Sequence, residues 1–463
     1  MTTRRKFFRD SALGIAAVAA YPAATTAVAE TGMAAGKLKT GVAREIITPK
    51  LGGLFMGYGS DKGSTAVHDD LTVTALAFEY GETKAVLLSI TVCLIGNGLT
   101  ARLKELCGEA AGVPASHVIL SATHTHSGPI TTDFEPGQGE DGNYCNEILI
   151  PKCVAAAKAA VESMKPATVG VAKTESKVGI NRRQVLADDR VILGQNPWGL
   201  YDSEMTVISF KGEDGKPIAN MIHCSAHCTA SGNNTEVTRD WAGPMIDRLE
   251  AESGAITAFF NGLAGDLAPR MANGRSTGDI NHAMEVGALA GIDAVRAWKD
   301  IRVFRDEVMS VVTGVVRIPH APLIPLEEAR RELAKLEAGT QARFTGSNIR
   351  VYKANIEAHE KGETGESFFT YDQTLLKIGP IVFVPVPFEA STEISLRLRA
   401  YSKHTHTLGL GNANGSNSYL PTKDQITRGG YEIDRFQWSG ARQLANNADW
   451  HLIDQNLQLM EKL

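Results

Sequence analysis

The chain of 463 residues has few cysteines, no excess of positive charge and no long apolar run. Six scattered cysteines are too few for a disulfide scaffold, so the small disulfide-rich folds are excluded. A net charge of −5 provides no basic surface of the kind that binds nucleic acid, so nucleic acid is not an expected partner. The remaining composition, 43% hydrophobic and 21% charged, is typical of a soluble globular enzyme.

The N-terminus has the three regions of a signal peptide. Arg4 and Arg5 form a twin-arginine pattern, the apolar stretch 12–20 follows, and Ala27-Val28-Ala29 offers a cleavage site. The apolar stretch is too short for a permanent anchor, so no transmembrane segment is predicted. We therefore interpret residues 1–29 as a twin-arginine signal peptide and expect a periplasmic or secreted protein.

The rest of the chain alternates between strand-like and helix-like patterns. Hairpins are predicted at 71–80 with 84–90, at 205–210 with 218–224, and at 374–378 with 381–386. Helical patterns at 99–112, 148–165 and 282–299 lie between them. The mixture predicts an α/β fold with mixed sheets and hairpins flanked by helices, not a doubly wound parallel sheet. No linker divides it, so residues 38–463 are predicted to form a single large catalytic domain.

The segment Thr-His-Thr-His-Ser-Gly-Pro at 123–129 follows the apolar run 118–120. Side chains two residues apart in a strand point to the same side, so His124 and His126 are expected to converge as metal ligands do. Such a pair also occurs as an ordinary polar strand end. The interpretation as a metal site therefore depends on finding further ligands.

A second cluster offers two more histidines. His227 lies just past a predicted strand, whereas His223 lies within it. A histidine inside a strand is more often a hydrogen-bonded core residue, so His227 is favoured as a ligand and His223 is the alternative. Cys224 and Cys228 flank His227, and zinc binding by their thiolates is a further alternative that an oxidising compartment disfavours.

The remaining candidates come from separate segments. Glu389 ends a buried, proline-bounded strand, where it could bind a metal or cap the following helix. The Asn- and Gly-rich loop 412–422 has the irregular character of site-forming loops, although its tyrosine is equally compatible with ordinary packing. Arg182 lies in the polar, turn-rich segment 179–183 and could bind a carbonyl oxygen or a carboxylate. Asp266 lies in the segment 261–270, which resembles a site loop.

Taken in order, these segments resemble the neutral ceramidase family over essentially the whole mature chain. The family's Thr-His-Thr-His-Ser-Gly-Pro is unchanged here, its Asn-Arg is present, and its Pro-Gly-Glu is altered to Pro-Phe-Glu. The matching positions are Gly57-Tyr58-Gly59, His68-Asp69-Asp70-Leu71, 123–129, Asn181-Arg182, Pro387-Phe388-Glu389, Tyr419 and Tyr431.

The resemblance implies one catalytic zinc ion held by His124, His227, Glu389 and Tyr419. It implies that zinc activates a water for hydrolysis, and that His126 polarises the scissile carbonyl or protonates the leaving amine. Arg182 and Tyr431 are expected to hold the substrate oxygen and stabilise the oxyanion. Asp266 is expected to be a further substrate-binding residue.

The chain departs from the family pattern at several positions. The serine of Gly-Asp-Val-Ser-Pro is Ala268 here, which excludes an acyl-serine route through that position. The residues after the histidine motif are Ile130-Thr131-Thr132, and the first tyrosine of Tyr-x-Gly-Tyr is Ser416. We expect both changes to touch the substrate mouth. An immunoglobulin-like C-terminal domain is not expected.

The leading hypothesis is therefore a zinc-dependent amidohydrolase acting on a ceramide-like N-acyl lipid, with transient contact to a membrane surface. One alternative is a zinc hydrolase of the same fold that acts on an ester, a lactone or a small N-acyl compound. Another is a non-catalytic binding protein of the cell envelope. The sequence predicts no oligomeric state.

Overall fold

The computed structural model describes residues 36–58, 62–132, 140–339, 345–363, 366–438 and 442–463, so the predicted signal peptide 1–29 lies outside the described residues. The strands there are β1 (Lys39–Ile46), β2 (Ala66–Val67), β3 (Thr72–Tyr80), β4 (Thr83–Ile90), β5 (Val118–Ala122), β6 (Lys165–Glu175), β7 (Gly179–Val185), β8 (Val191–Asn196), β9 (Glu204–Gly212), β10 (Pro217–Cys224), β11 (Glu236–Val237), β12 (Ile256–Asn261), β13 (Leu267–Pro269), β14 (Met309–Pro319), β15 (Phe368–Ile378), β16 (Ile381–Pro385), β17 (Glu389–Ala390), β18 (His406–Leu410) and β19 (Tyr419–Leu420). The α-helices are α1 (Asn97–Ala111), α2 (Gly142–Tyr144), α3 (Ile150–Glu162), α4 (Ala242–Ser253), α5 (Ile280–Lys299), α6 (Leu326–Ala338), α7 (Thr345–Glu360), α8 (Thr392–Tyr401), α9 (Lys423–Ile426), α10 (Tyr431–Trp438) and α11 (Ala448–Met460).

Two sheets form the centre of the molecule. The larger has eight strands in the order β12-β10-β9-β6-β1-β3-β4-β5, and the smaller has four in the order β14-β15-β16-β18. Both are mixed, since β4 with β5, β10 with β12 and β16 with β18 run parallel while their other neighbours run antiparallel. The predicted α/β class with mixed sheets and hairpins is confirmed. The three predicted hairpins are β3–β4, β9–β10 and β15–β16.

The sheets and helices stack in four layers, helix–sheet–sheet–helix. Side chains alternate along a strand, so each central strand packs on both sides. In β3, Val73 packs in the cluster that includes α1 and α3, whereas Leu76 packs against the second sheet. Helices α4 and α5 cover the other half of the outer face, and α8 and α11 cover the far face of the four-stranded sheet.

Among the described residues, no helix combines the length and apolar character that a membrane span requires. One predicted local structure was wrong. The polar segment 179–183 is not a turn but part of β7, which pairs with β13 on one side and β8 on the other. Its polar side chains are buried there, and Arg182 and Arg183 share a carboxylate partner, as described below.

The ends of several strands meet at one edge of the fold. The segments that follow β5, β10, β12 and β16 supply His124, His227, Ala264 and Glu389, respectively. Parallel neighbours such as β4 with β5 and β10 with β12 place their carboxyl ends on the same side. Ligands of α/β proteins commonly bind at this edge.

Candidate metal centre

His124 reaches the centre by a turn of the backbone rather than by strand alternation. Strand β5 ends at Ala122, and His124 has a positive φ of 73°, a rare conformation for a residue other than glycine. Its amide donates to Val92 O at 2.9 Å, and its Nδ1 lies 2.8 Å from Cys93 O. These bonds fix the ring of His124, which is almost completely buried.

His227 follows β10 and is held in the same way. Its Nδ1 lies 2.9 Å from Ala264 O. A parallel bridge between Thr125 and Cys228 joins the two histidine-bearing loops directly. The ring centroids of His124 and His227 are consequently 4.5 Å apart.

Glu389 and Tyr419 are brought together by strand pairing. They are direct partners in the short parallel pair β17–β19, although they lie thirty positions apart in the chain. Glu389 Oε2 lies 3.3 Å from His124 Nε2 and 3.1 Å from His227 Nε2. The hydroxyl of Tyr419 lies 3.5 Å from His227 Nε2. The four residues that the resemblance implies as ligands are therefore together in the structure.

The donor set fits a zinc ion. Because both Nδ1 atoms face backbone carbonyls, Nδ1 carries the proton and the two Nε2 atoms face Glu389. The ligand atoms of His124, His227 and Glu389 all lie within 4.8 Å of one another. Two imidazole nitrogens with one carboxylate are the ligands of many hydrolytic zinc sites, which keep a further position for water.

Burial and mutual charge shift the ionisation of this cluster. Burial, with Arg182 and His124 beside it, lowers the pKa of His227 to about 3, so its ring is neutral at neutral pH. Burial also lowers the pKa of His124, but Cys93 and Glu389 raise it well above its usual value. Burial raises the pKa of Glu389, but the two histidines lower it well below its usual value. Metal binding here would displace a proton from His124, as binding to imidazole requires.

His126 lies at the edge of the cluster and is partly exposed. Its Nε2 is 3.4 Å from His124 Nε2, and its ring is tilted against that of Tyr58 at 5.1 Å. Burial, followed by the charges of His124 and His227, lowers the pKa of His126 well below its usual value. A Cβ atom on Gly57, which has a φ of +110°, would lie 2.2 Å from His126 Nδ1, so only glycine fits beside this ring.

Arg182 projects from β7 toward the two tyrosines. Its guanidinium carbon lies 5.4 Å from the ring centre of Tyr419 and 5.8 Å from that of Tyr431. Glu432 accepts a bond from Arg182 Nε at 2.8 Å and another from Arg183 Nη1 at 2.7 Å. Burial lowers the pKa of Arg182, but Tyr419 and Glu432 raise it above its usual value, so the group stays charged.

The carboxylate of Asp266 is bonded within the fold. It accepts from Thr392 N at 2.8 Å, at the start of α8, and from Gln425 Nε2 at 2.9 Å. It also lines a polar cavity of about 610 Å³ together with Arg183 and Gln425. Burial raises the pKa of Asp266 to about 6. Its role as a substrate contact stays a prediction.

The alternative ligands lie outside the cluster. His223 Nε2 bonds to Gly409 O at 2.9 Å, as expected of a core histidine. Cys228 Sγ donates to Thr123 O at 3.2 Å. Burial raises the pKa of Cys224 and of Cys228 far above its usual value, so neither forms a thiolate readily. These observations favour His227 over His223 and over the thiolate pair.

The family departures occupy buried positions. Ala268 is fully buried in β13 opposite Ile180. Ile130, Thr131 and Thr132 are also buried, and Thr131 donates to the carbonyl of Leu94. Ser416 is mostly buried, with its amide bonded to Asn97 Oδ1 at 3.0 Å. Their expected position at a substrate mouth stays a prediction.

Three residues near the centre were not recognised as site residues from the sequence. Tyr58 stands out in the sequence only as part of a Gly-Tyr-Gly segment. Nothing in the sequence marks Cys93, whose Sγ lies 3.7 Å from His124 Nδ1. Glu432 was also missed. Two adjacent arginines that are both buried require a carboxylate partner, but the sequence shows neither their burial nor which carboxylate it is.

Buried histidines and a carboxylate at the carboxyl ends of strands define an α/β protein with a candidate metal centre. Comparison with known proteins shows which of them this chain is similar to. No model of a known protein family matches the chain. Over 243 residues the chain is 26% identical to neutral ceramidase B of Dictyostelium discoideum. The match covers 46% of this chain and 33% of the relative. The match thus spans about a third of the relative's length.

Solved structures extend the likeness over most of the fold. The neutral ceramidase from Pseudomonas aeruginosa aligns with a TM-score of 0.70 at 18% identity, over 92% of this chain and 75% of that chain. A ceramidase complexed with C2 aligns with a TM-score of 0.67 at 18% identity, over 92% and 74%. The chain has the neutral ceramidase fold, and the predicted resemblance to the neutral ceramidases is confirmed.

Proposed function

We propose that the chain is an exported, zinc-dependent hydrolase that cleaves the amide bond of a ceramide-like N-acyl lipid. The observation that supports this most strongly is the convergence of two histidine nitrogens on one carboxylate oxygen. His124 Nε2 lies 3.3 Å and His227 Nε2 lies 3.1 Å from Glu389 Oε2. The proposed export depends on the predicted signal peptide alone. The proposed substrate class depends on the likeness to neutral ceramidases.

His124, His227 and Glu389 would hold the zinc ion, with Tyr419 as a fourth ligand. Zinc in such a site polarises a bound carbonyl and lowers the pKa of water to roughly 7, which supplies a nucleophile at neutral pH. The chain contributes the fixed geometry. Both histidine rings are anchored through Nδ1, and Glu389 is anchored through the pairing of β17 with β19.

His126 is suited to move a proton. Its lowered pKa keeps the ring neutral at neutral pH, so it can accept a proton from water and pass it to the nitrogen of the leaving amine. Its partial exposure and its position beside His124 are compatible with contact to a substrate.

Arg182 and Tyr431 are suited to stabilise the substrate oxygen. Arg182 remains charged, and Glu432 holds its Nε, which leaves the far side of the guanidinium directed toward Tyr419 and Tyr431. Hydrogen-bond donors fixed in this way stabilise the negative charge that develops on the oxygen during acyl transfer.

The alternative substrate classes are an ester, a lactone or a small N-acyl compound. Two departures from the family pattern support these alternatives. Ser416 replaces an aromatic residue of the Tyr-x-Gly-Tyr motif, and residues 130–132 replace the aromatic and glycine residues that follow the histidine motif. A smaller or more polar substrate would suit these changes. Rates on ceramides of increasing chain length, short N-acyl amines and simple esters separate the classes.

The zinc proposal is tested by metal content and activity together. His124→Ala and Glu389→Gln should each lose stoichiometric zinc and hydrolysis. His223→Gln is the matched control, because His223 is the alternative ligand and is bonded to Gly409, so this variant should retain both. Full activity of a zinc-free preparation would refute the mechanism.

A further inference from the structure

Three buried polar atoms beside the candidate metal centre have no hydrogen-bond partner among the described residues. They are the hydroxyl of Tyr58, Nη2 of Arg182 and Nδ1 of His126. Buried polar groups are nearly always paired, so several unpaired ones in one place indicate that a ligand supplies the partner. Neither the sequence nor the family resemblance assigned a role to Tyr58.

Tyr58 is fixed to the loop that carries the histidines. Phe55 forms a bridge with Pro129, and the amide of Met56 donates to Gly128 O at 3.1 Å. The close approach of Gly57 to His126 then places the Tyr58 ring 5.1 Å from the imidazole. A fixed aromatic ring with an unpaired hydroxyl is preorganised for contact with a ligand.

The charge around Tyr58 keeps its hydroxyl protonated. Burial raises its pKa well above the usual value and Asp240 and Cys93 raise it further, while Arg182 is near enough to oppose them. Arg182 lies beside the ring of Tyr419, whose hydroxyl is 3.5 Å from His227 Nε2. Tyr58 lies beside His126, whose Nε2 is 3.4 Å from His124 Nε2, so both groups flank the same histidines. A protonated phenol and a guanidinium whose Nη2 has no partner among the described residues are two donors that an oxygen atom can satisfy.

We infer that Tyr58 is a catalytic residue whose hydroxyl, together with Arg182 Nη2, donates a hydrogen bond to the carbonyl oxygen of the scissile bond. The inference rests on the proposed function. Tyr58 transfers no proton in this step. The hydrogen bond strengthens as the carbonyl oxygen gains negative charge on attack, so it favours the transition state over the bound substrate.

The test is Tyr58→Phe, which removes the hydroxyl and keeps the ring against His126. Loss of one such donor lowers kcat by about 10²- to 10³-fold, so we expect a fall of that size with KM changed far less. Zinc content and thermal melting should match the wild type, since Tyr58 is not among the metal ligands.

Tyr371→Phe is the matched control. The hydroxyl of Tyr371 is also buried, but its ring lies in the second sheet against Phe369 and Phe388. This variant should keep kcat within twofold. Equal losses in both variants, loss of zinc from Tyr58→Phe, or an unchanged kcat in Tyr58→Phe would overturn the inference while the proposed function stands. A zinc-loaded wild type that hydrolyses no N-acyl compound or ester would overturn both.

Discussion

Gly265 provides the sharpest test of how the fold positions the candidate metal centre. A Cβ atom at this position would lie 2.3 Å from Glu389 O and 2.8 Å from Glu389 C, whereas ordinary contacts begin at 3.4 Å. The Gly265 amide also donates to Ala390 O at 2.9 Å. The clash is with backbone, so no side-chain rotation can relieve it. Gly265→Ala must therefore displace the Glu389 strand by about 1 Å.

The size of the effect follows from that displacement. A misplacement of about 1 Å can reduce catalysis by about 10²-fold. Moving the Glu389 carboxylate away from two histidines should weaken metal affinity by a similar factor. At a zinc concentration of about 100 times the wild-type Kd, the wild type gains about 2.7 kcal/mol of stability from binding, and the variant should gain only about 0.4 kcal/mol.

Two measurements check this prediction: zinc affinity by chelator competition, and thermal melting with and without zinc. Gly98→Ala is the matched control, since Gly98 lies on the exposed side of α1 with nothing within 4 Å of the added carbon. It should retain zinc affinity and gain about 0.5–1 kcal/mol of stability. If Gly265→Ala binds zinc as tightly as the wild type, Glu389 is not a ligand in the position described.

Three further predictions concern groups around the centre. Glu432→Gln leaves Arg182 and Arg183 without their shared carboxylate. Breaking a buried pair costs about 3–5 kcal/mol, so urea denaturation should show a fall of that order in the free energy of unfolding. A fall below about 1 kcal/mol would contradict the arrangement. The pKa of Asp266 in the folded protein is about 6, above its usual 3.8, so its neutral form stabilises the fold at low pH. That contribution is lost as the pH rises through 6. Asp266→Asn should therefore flatten this part of the curve of stability against pH, and an unchanged curve would count against the raised pKa. None of the six cysteines forms a disulfide and all are buried, so a thiol reagent should react with none in the native protein and with all six in guanidinium chloride. Fewer than six reactive thiols in denaturant would reveal a disulfide.

Local sequence patterns predicted most of the fold. The hairpins around 81–82 and 379–380 follow from apolar runs interrupted by glycine-containing turns, and the structure has β3–β4 and β15–β16 there. Such local patterns do not predict that the two sheets pack against each other. Val73 and Leu76 are equally apolar, and only the three-dimensional arrangement decides which of them faces helices and which faces the second sheet.

The metal-binding candidates were predicted from residue types and family likeness, and the geometric argument for one of them was wrong. His124 and His126 were expected to share a strand face, but β5 ends at Ala122 and His124 adopts a left-handed conformation. The rings converge because Val92 and Cys93 hold His124 through its backbone and Nδ1. Such long-range bonds leave no periodic signal in the sequence.

Strand β7 illustrates why Glu432 was harder to predict than the histidines, since it bonds to arginines about 250 positions away in the chain. The pairing of β7 with β8 is irregular between Asn181 and Arg183, so strand alternation does not decide which way Arg182 and Arg183 face. One carboxylate, Glu432, bonds to both, taking Nε of Arg182 and Nη1 of Arg183. With Nε bonded to Glu432, Nη2 of Arg182 has no hydrogen-bond partner among the described residues. A lysine has a single terminal ammonium group and could not be bonded at one nitrogen while offering another, so the geometry requires arginine at position 182.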